Sequence, residues 1–146
     1  MQVKNETKEL KAAISGTNKF DSKKLELYFE RIRCDKKKMY ELVRGFCATY
    51  LVDSEQRPLR LRPLQMDIIV NALTYPEGNP KKHRKMAILA PRGSGKSWAL
   101  SVAATVYMFF KRFRDTIFIL APTEDQCALI FNYVLRHFQD NQFLNS

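Results

Sequence analysis

Apolar side chains at Leu25, Tyr28, Phe29 and Ile32 recur at i, i+3, i+4 and i+7, the stripe of an amphipathic helix. Asp21 and Ser22 stand just before it and can cap its start. A second stripe follows Asp35, another capping residue. Met39, Leu42, Val43, Phe46, Cys47 and Tyr50 keep the same spacing, with Lys36 to Lys38 and Arg44 on the other face. Both stripes predict helices whose aromatic faces pack a core. The first twenty or so residues are polar, Lys-rich and without period, and are expected to form a mobile arm or a loosely held helix.

Beyond Tyr50 the pattern changes. DSEQRPLRLRP is a turn-rich basic linker, and Pro63 suits the first position of a short helix through LQMDIIVNAL. TYPEGNPKKHRK, with its prolines, glycine and charges, is an exposed loop. MAILAP is a short apolar strand candidate, RGSGKS a glycine-broken loop, and WALSVAATVYMFFKRF a buried helix. DTIFILAP is a second apolar run without alternation, as expected for a parallel strand covered on both faces. Thr123 and Gln126 form a T-x-x-Q capping box. The helix it opens has Cys127, Ile130, Phe131, Val134, Leu135 and Phe138 as its apolar face. Strand, loop, helix, strand, helix predicts an α/β fold: an incomplete parallel sheet of the P-loop NTPase type flanked by helices. It divides the chain into a helical region, 1–58, and the opening part of an ATPase domain, 59–146.

At 146 residues the chain has room for one ordinary core, and its 45% hydrophobic content is that of a soluble globular domain. No apolar run approaches the roughly 18 residues needed to span a bilayer, and the charged N-terminus lacks the apolar stretch of a secretory signal. The expectation is a cytoplasmic chain with no membrane partner. Three cysteines, odd in number and without C-x-x-C spacing, argue against a disulfide framework or zinc knuckle. The formal charge of +10 comes with basic runs at Lys36 to Lys38, Lys81 to Lys85 and Lys111 to Arg114. Such an excess favours polyanions by releasing condensed counterions, although any one run can simply be a solvated surface.

The candidate chemistry lies in APRGSGKS, Ala90 to Ser97. It fits the phosphate-binding pattern G-x-x-x-x-G-K-[ST] with Ala90 in place of the first glycine. Ala90 and Pro91 end the strand candidate, where a small residue can turn. Gly93 and Gly95, with Ser94 between them, let backbone N–H groups close on phosphate oxygens without a β-carbon in the way. Lys96 can reach the terminal phosphates of ATP as a point charge. Ser97, in the first helical turn, can offer its hydroxyl to Mg²⁺. Arg92 lies inside the loop, where it can stabilise charge during phosphoryl transfer. Gln65, about thirty residues earlier, has an amide able to donate to and accept from an adenine edge.

Three segments together resemble the first motifs of viral large terminase subunits: L-R-P-L-Q at Leu61 to Gln65, A-P-R-G-S-G-K-S, and L-A-P-T-E-D-Q at Leu120 to Gln126. The resemblance covers about Leu59 to Asn141. It implies that Gln65 contacts adenine, that Lys96 and Ser97 hold phosphate and Mg²⁺, that Arg92 is an internal arginine finger, and that Pro122, Thr123 and Gln126 lie near the nucleotide or the DNA path. It further implies a motor that drives double-stranded DNA into a capsid, a homo-oligomeric ring, a small terminase subunit and a capsid portal as partners, and work in the infected host's cytoplasm, transiently at the procapsid. Such an ATPase also needs a strand ending in Asp or Asp-Glu to hold Mg²⁺ and activate water, and the sequence supplies none. The family's acidic nuclease cluster is missing too. The chain is therefore expected to be a truncated product or fragment, marginally stable, that hydrolyses ATP poorly or not at all. A superfamily-two helicase fragment and a non-catalytic nucleotide-binding remnant are the competing readings.

Overall fold

Asp35 shows how the local signals become structure. Its carboxylate accepts from the backbone N–H groups of Lys37 and Lys38 at 3.0 and 3.2 Å, satisfying donors that a helix start leaves free. The computed structural model describes residues 22–111 and 115–140. Among them are helices α1 (Ser22–Ile32), α2 (Lys36–Tyr50), α3 (Pro63–Leu73), α4 (Lys96–Lys111) and α5 (Glu124–Gln139). Pro63 occupies the first turn of α3, where its missing N–H costs nothing. Thr123 caps α5 by accepting from Gln126 N at 3.4 Å. The N-terminal arm and the Asp21 cap lie outside the described residues, as does the remainder of the Lys111 to Arg114 run.

α4 is the centre of the assembly, packed against α1, α3 and α5, while α2 packs on α1 and α3. The aromatic stripes meet as expected from their spacing. Phe29 of α1 stacks on Phe110 of α4 at 4.8 Å between ring centroids, and Phe46 of α2 contacts Phe109 at 5.2 Å. Phe29, Phe46 and Phe110 are fully buried, each contributing about 1.5–3 kcal/mol by transfer from water. Residues on both sides of position 58 contribute to this one apolar core.

A polar cluster fastens its edge. The Nε of Arg33 donates to the Leu73 carbonyl at 2.9 Å, capping the end of α3. A terminal nitrogen of Arg33 donates to the Tyr75 hydroxyl at 3.0 Å and to Glu30 at 3.2 Å. Tyr75 in turn donates to Glu30, which also pairs with Lys111 at the end of α4. Burial pushes the Glu30 carboxyl up, but the hydrogen bonds from Lys111 and Tyr75 and the charges of Arg33 and Lys111 outweigh it, so the carboxyl lies below its ordinary 4.5.

The parallel sheet expected from the two apolar runs is not formed, and the α/β reading is corrected to a helical one. Among the described residues the one bridge between extended segments is Val52 with Pro58, closing the turn in the linker. The stretches 86–90 and 116–121 run without a hydrogen-bonded neighbour strand. Leu89 is fully exposed, Phe118 and Leu120 are 81% and 90% exposed, and the Ile119 carbonyl accepts from the Cys127 thiol at 3.6 Å. A strand needs a partner ladder to satisfy its backbone, and apolar composition alone cannot supply one.

α5 buries part of the expected face, with Val134 buried and Cys127, Ile130 and Phe138 half-buried, and departs from it at two positions. Phe131 and Leu135 are exposed, whereas Val134 and His137 are buried and Tyr133 packs edge-on against Trp98 at 5.1 Å. Ser101 Oγ donates to the Trp98 carbonyl at 2.6 Å and lies 3.2 Å from His137 Nε2. Its single proton is thereby used, so His137 Nε2 carries the proton that joins the two helices.

Burial drives the His137 pKa down to about 4, with the Asp140 charge opposing and Arg136 assisting. The unfolded imidazole takes up a proton below its ordinary 6.5, whereas the folded one does so only below about 4. Unfolding free energy therefore falls as pH drops from 6.5 towards 4, by about 2–3 kcal/mol in all. Urea titrations across that window should show the fall in the parent chain and a much flatter profile in His137→Gln; equal slopes would exclude His137 as its source.

Candidate functional site

The loop ahead of α4 is shaped by residues whose backbone conformations few others could adopt. Ser94 N donates to the Pro91 carbonyl at 3.3 Å, closing a tight turn. Gly93 and Gly95 follow with φ of +77° and +80°, the left-handed region that costs a residue with a β-carbon about 1 kcal/mol or more. The Gly95 carbonyl then accepts from Ala99 N at 2.9 Å, the first hydrogen bond of α4. The first-turn N–H groups, from Lys96 onward, have no intrahelical acceptor and carry the positive end of the helix dipole.

Two side chains hold this curl in place. Lys96 reaches back across the loop to donate its ammonium to the Ala90 carbonyl at 3.2 Å, so the charge spans the mouth from the last loop residue to the first. Gln65, buried at the start of α3, accepts from Arg62 N at 3.0 Å through its Oε1 and donates to the Gly95 carbonyl at 3.4 Å through Nε2. The contact is close. A β-carbon placed on Gly95 would lie 2.3 Å from Gln65 Nε2.

Ser94 Oγ is buried and, among the described residues, has no hydrogen-bond partner. An orphaned hydroxyl costs about 1–3 kcal/mol, a penalty that an anionic acceptor in the loop would remove. Pro91, Arg92 and Gly93 are exposed along the outer side of the turn, whereas Ala90 and Ser97 are half-buried. The structure thus brings Gln65 and the whole of Ala90 to Ser97 into one place. It also shows that the Gln65 amide already bonds to the chain at both ends, so its contact here is with the loop backbone. Among the described residues no group of three or more His, Cys, Asp or Glu side chains is arranged to hold a metal ion.

Sequence reasoning missed the ground on the far side of the first α4 turn. Trp98, Tyr133, His137, Asp53 and Arg136 border an open cleft of about 400 Å³. A buried histidine continuing the Val134 register of α5 was the available signal, obscured because hydrophobic spacing counts only apolar residues.

No family model, no curated protein and no solved structure matches this chain. Among the described residues no helix is long and apolar enough to cross a membrane.

Gly95→Ala meets both the left-handed φ of +80° and the Gln65 amide at 2.3 Å. It is expected to destabilise the chain by about 1–3 kcal/mol and to open the loop. Gly45→Ala, whose new β-carbon would have nothing within 4 Å, is the control. Denaturant midpoints compare the two, and an unperturbed Gly95→Ala chain would mean the contact is slack.

Proposed function

We propose that the loop from Ala90 to Ser97 binds the phosphates of ATP with Mg²⁺, and that the chain is the ATP-binding portion of a viral DNA-packaging motor of the large-terminase kind. The observation carrying the first half is a single arrangement. A curl with two left-handed glycines at a helix N-terminus places the Lys96 ammonium across its own mouth and buries a partnerless Ser94 hydroxyl. Helix N-termini with free N–H groups suit anionic oxygens. The reading depends on the loop and on α4, both of which the helical fold provides.

Within the proposal the roles divide by position. Lys96 exchanges the neutral Ala90 carbonyl for phosphate oxygens, Ser94 gains an acceptor, and Ser97 contributes one oxygen to Mg²⁺, whose other ligands are phosphate oxygens and water. Mg²⁺ neutralises phosphate charge when bound. Arg92, exposed at the turn, is free to swing against the γ-phosphate. The motor reading is supported by the three terminase-like segments and by the charge of +10, which suits double-stranded DNA as the substrate. Small terminase subunit, capsid portal, ring assembly and action in the infected host's cytoplasm follow from the same resemblance. A second reading, a non-catalytic nucleotide-binding module, rests on the sequence, where no apolar strand candidate ends in Asp or Asp-Glu.

Lys96→Ala is expected to abolish Mg-ATP binding measured by isothermal calorimetry, since the variant loses the charge that spans the loop mouth. Unchanged affinity would refute the site. Arg92→Ala should keep ground-state Mg-ATP affinity within about threefold, because under this reading its contact strengthens mainly in the transition state. Loss of affinity alone would make Arg92 a binding residue.

A further inference from the structure

Two basic runs far apart in sequence start from one corner of the fold. The Tyr75 N–H donates to the Arg33 carbonyl at 2.8 Å, and a β-carbon added to Gly78 would lie only 2.6 Å from the Cys34 carbonyl. The turn at Pro76–Gly78 is thus pressed against the entry to α2, with Gly78 and Glu77 at φ of +66° and +54° to make the fit. Lys36–Lys38 begin two residues after Cys34, and Lys81–Lys85 three residues after Gly78. The first run lies in the opening turn of α2, and the second is drawn back to the same corner where Arg84 Nε donates to the Thr74 carbonyl, one residue before Tyr75.

The loop carrying the second run is anchored. Lys81 N donates to the Asn79 side chain at 3.0 Å, Lys82 N to the Asn79 carbonyl at 3.0 Å, and Arg84 Nε to the Thr74 carbonyl at 3.1 Å. Both runs are exposed throughout. Of the carboxylates nearby, Asp35 caps α2, Glu77 pairs with Lys82 of the second run and Glu41 lies one turn along α2; the cations of the two runs outnumber them. Three lysines in the first turn of α2 also oppose the positive end of that helix, where acidic residues would stabilise it and none is present. The Asp35 carboxylate offsets that end of the helix through its cap, and the three ammonium groups beyond it remain directed to solvent.

We infer that this corner, Lys36–Lys38 together with Lys81–Lys85, is the surface that grips the phosphate backbone of duplex DNA. The inference deepens the motor reading by naming the face its substrate meets. It stands apart from the nucleotide loop, since neither run belongs to residues 90–97. Two groups of cations on one corner suit the phosphates of duplex and read no base, as a translocating enzyme requires.

The test measures binding of the intact chain to a mixed-sequence 30-base-pair duplex by fluorescence anisotropy between 50 and 200 mM salt. Lys38→Glu with Lys85→Glu is compared with Arg60→Glu combined with Arg136→Glu, an equal charge change at exposed positions elsewhere. The corner variant is expected to lose at least tenfold in affinity and to lower the slope of log affinity against log salt by about 2, while the control stays within threefold. Lys38→Gln with Lys85→Gln should show a smaller loss, and thermal melts confirm that each variant folds. Equal losses in corner and control variants overturn the inference, as does binding to phosphatidylserine vesicles in preference to duplex. Duplex binding by the parent chain with the corner variant unaffected sinks the surface but spares the DNA reading. No duplex binding by the parent chain sinks both, while ATP binding at Lys96 is measured separately.

Discussion

The amide of Gln65 joins two parts of the chain that must stay in register for the glycine loop to keep its shape. One end accepts from Arg62 N at the start of α3, and the other donates to the Gly95 carbonyl, which itself accepts the first hydrogen bond of α4. The loop is therefore fixed to the core through a buried side chain rather than left to its own turn preferences. Behind Gln65, α3 and α4 share the apolar core with Phe29 and Phe46, so the strength of that core is passed on to the loop. The absence of a β-carbon on Gly95 permits both the left-handed turn and the approach of the amide.

A helical assembly presenting such a loop is unlike the strand-flanked setting expected from the residues. The two apolar runs carry side chains fit for a sheet interior, yet Leu89, Phe118 and Leu120 face solvent. Beneath the second run lies an open groove of about 500 Å³ bordered by Leu100, Ala103, Tyr107 and Ile130. The segment 116–120 rests along that groove without a backbone ladder to hold it. Stability comes instead from the α4-centred aromatic packing and from the Glu30 cluster. Removing Glu30 would leave the half-buried Arg33 and Lys111 without their shared carboxylate.

Local signals in the sequence were readable where the physics is local. Asp35, Pro63 and Thr123 each act within one helical turn, and each sits where its capping or first-turn chemistry requires. The aromatic stripes of α1 and α2 were legible for the same reason. The sheet was misread because pairing is a property of two segments, and an apolar run looks the same whether or not a neighbour exists. The apolar spacing of α5 found Val134 but not His137, whose place is set by Trp98, thirty-nine positions away in the chain. At the site, the octet stood out by composition, and the curl it forms follows from its glycines. The Gln65 contact, the orphaned Ser94 hydroxyl and the Arg33–Tyr75–Glu30 cluster all join residues distant in sequence, and pattern alone is blind to them.

The Lys96 bond to Ala90 sets the terms on which an anion would enter. An ammonium donating to a neutral carbonyl keeps the loop curled on its own, so little backbone ordering is left to be done on binding. Phosphate adds the attraction of an opposite charge to the hydrogen bond, which favours exchange of the neutral carbonyl for phosphate. Arg92 stands on different terms. It is exposed, and fixing a side chain of its length costs about 2 kcal/mol of rotamer entropy. A ground-state contact through Arg92 would scarcely offset that cost, whereas one that tightens as charge builds on the transferring phosphoryl group would. Under the proposed reading the two cations of one loop would suit different moments: Lys96 capture, Arg92 the transfer of a phosphoryl group.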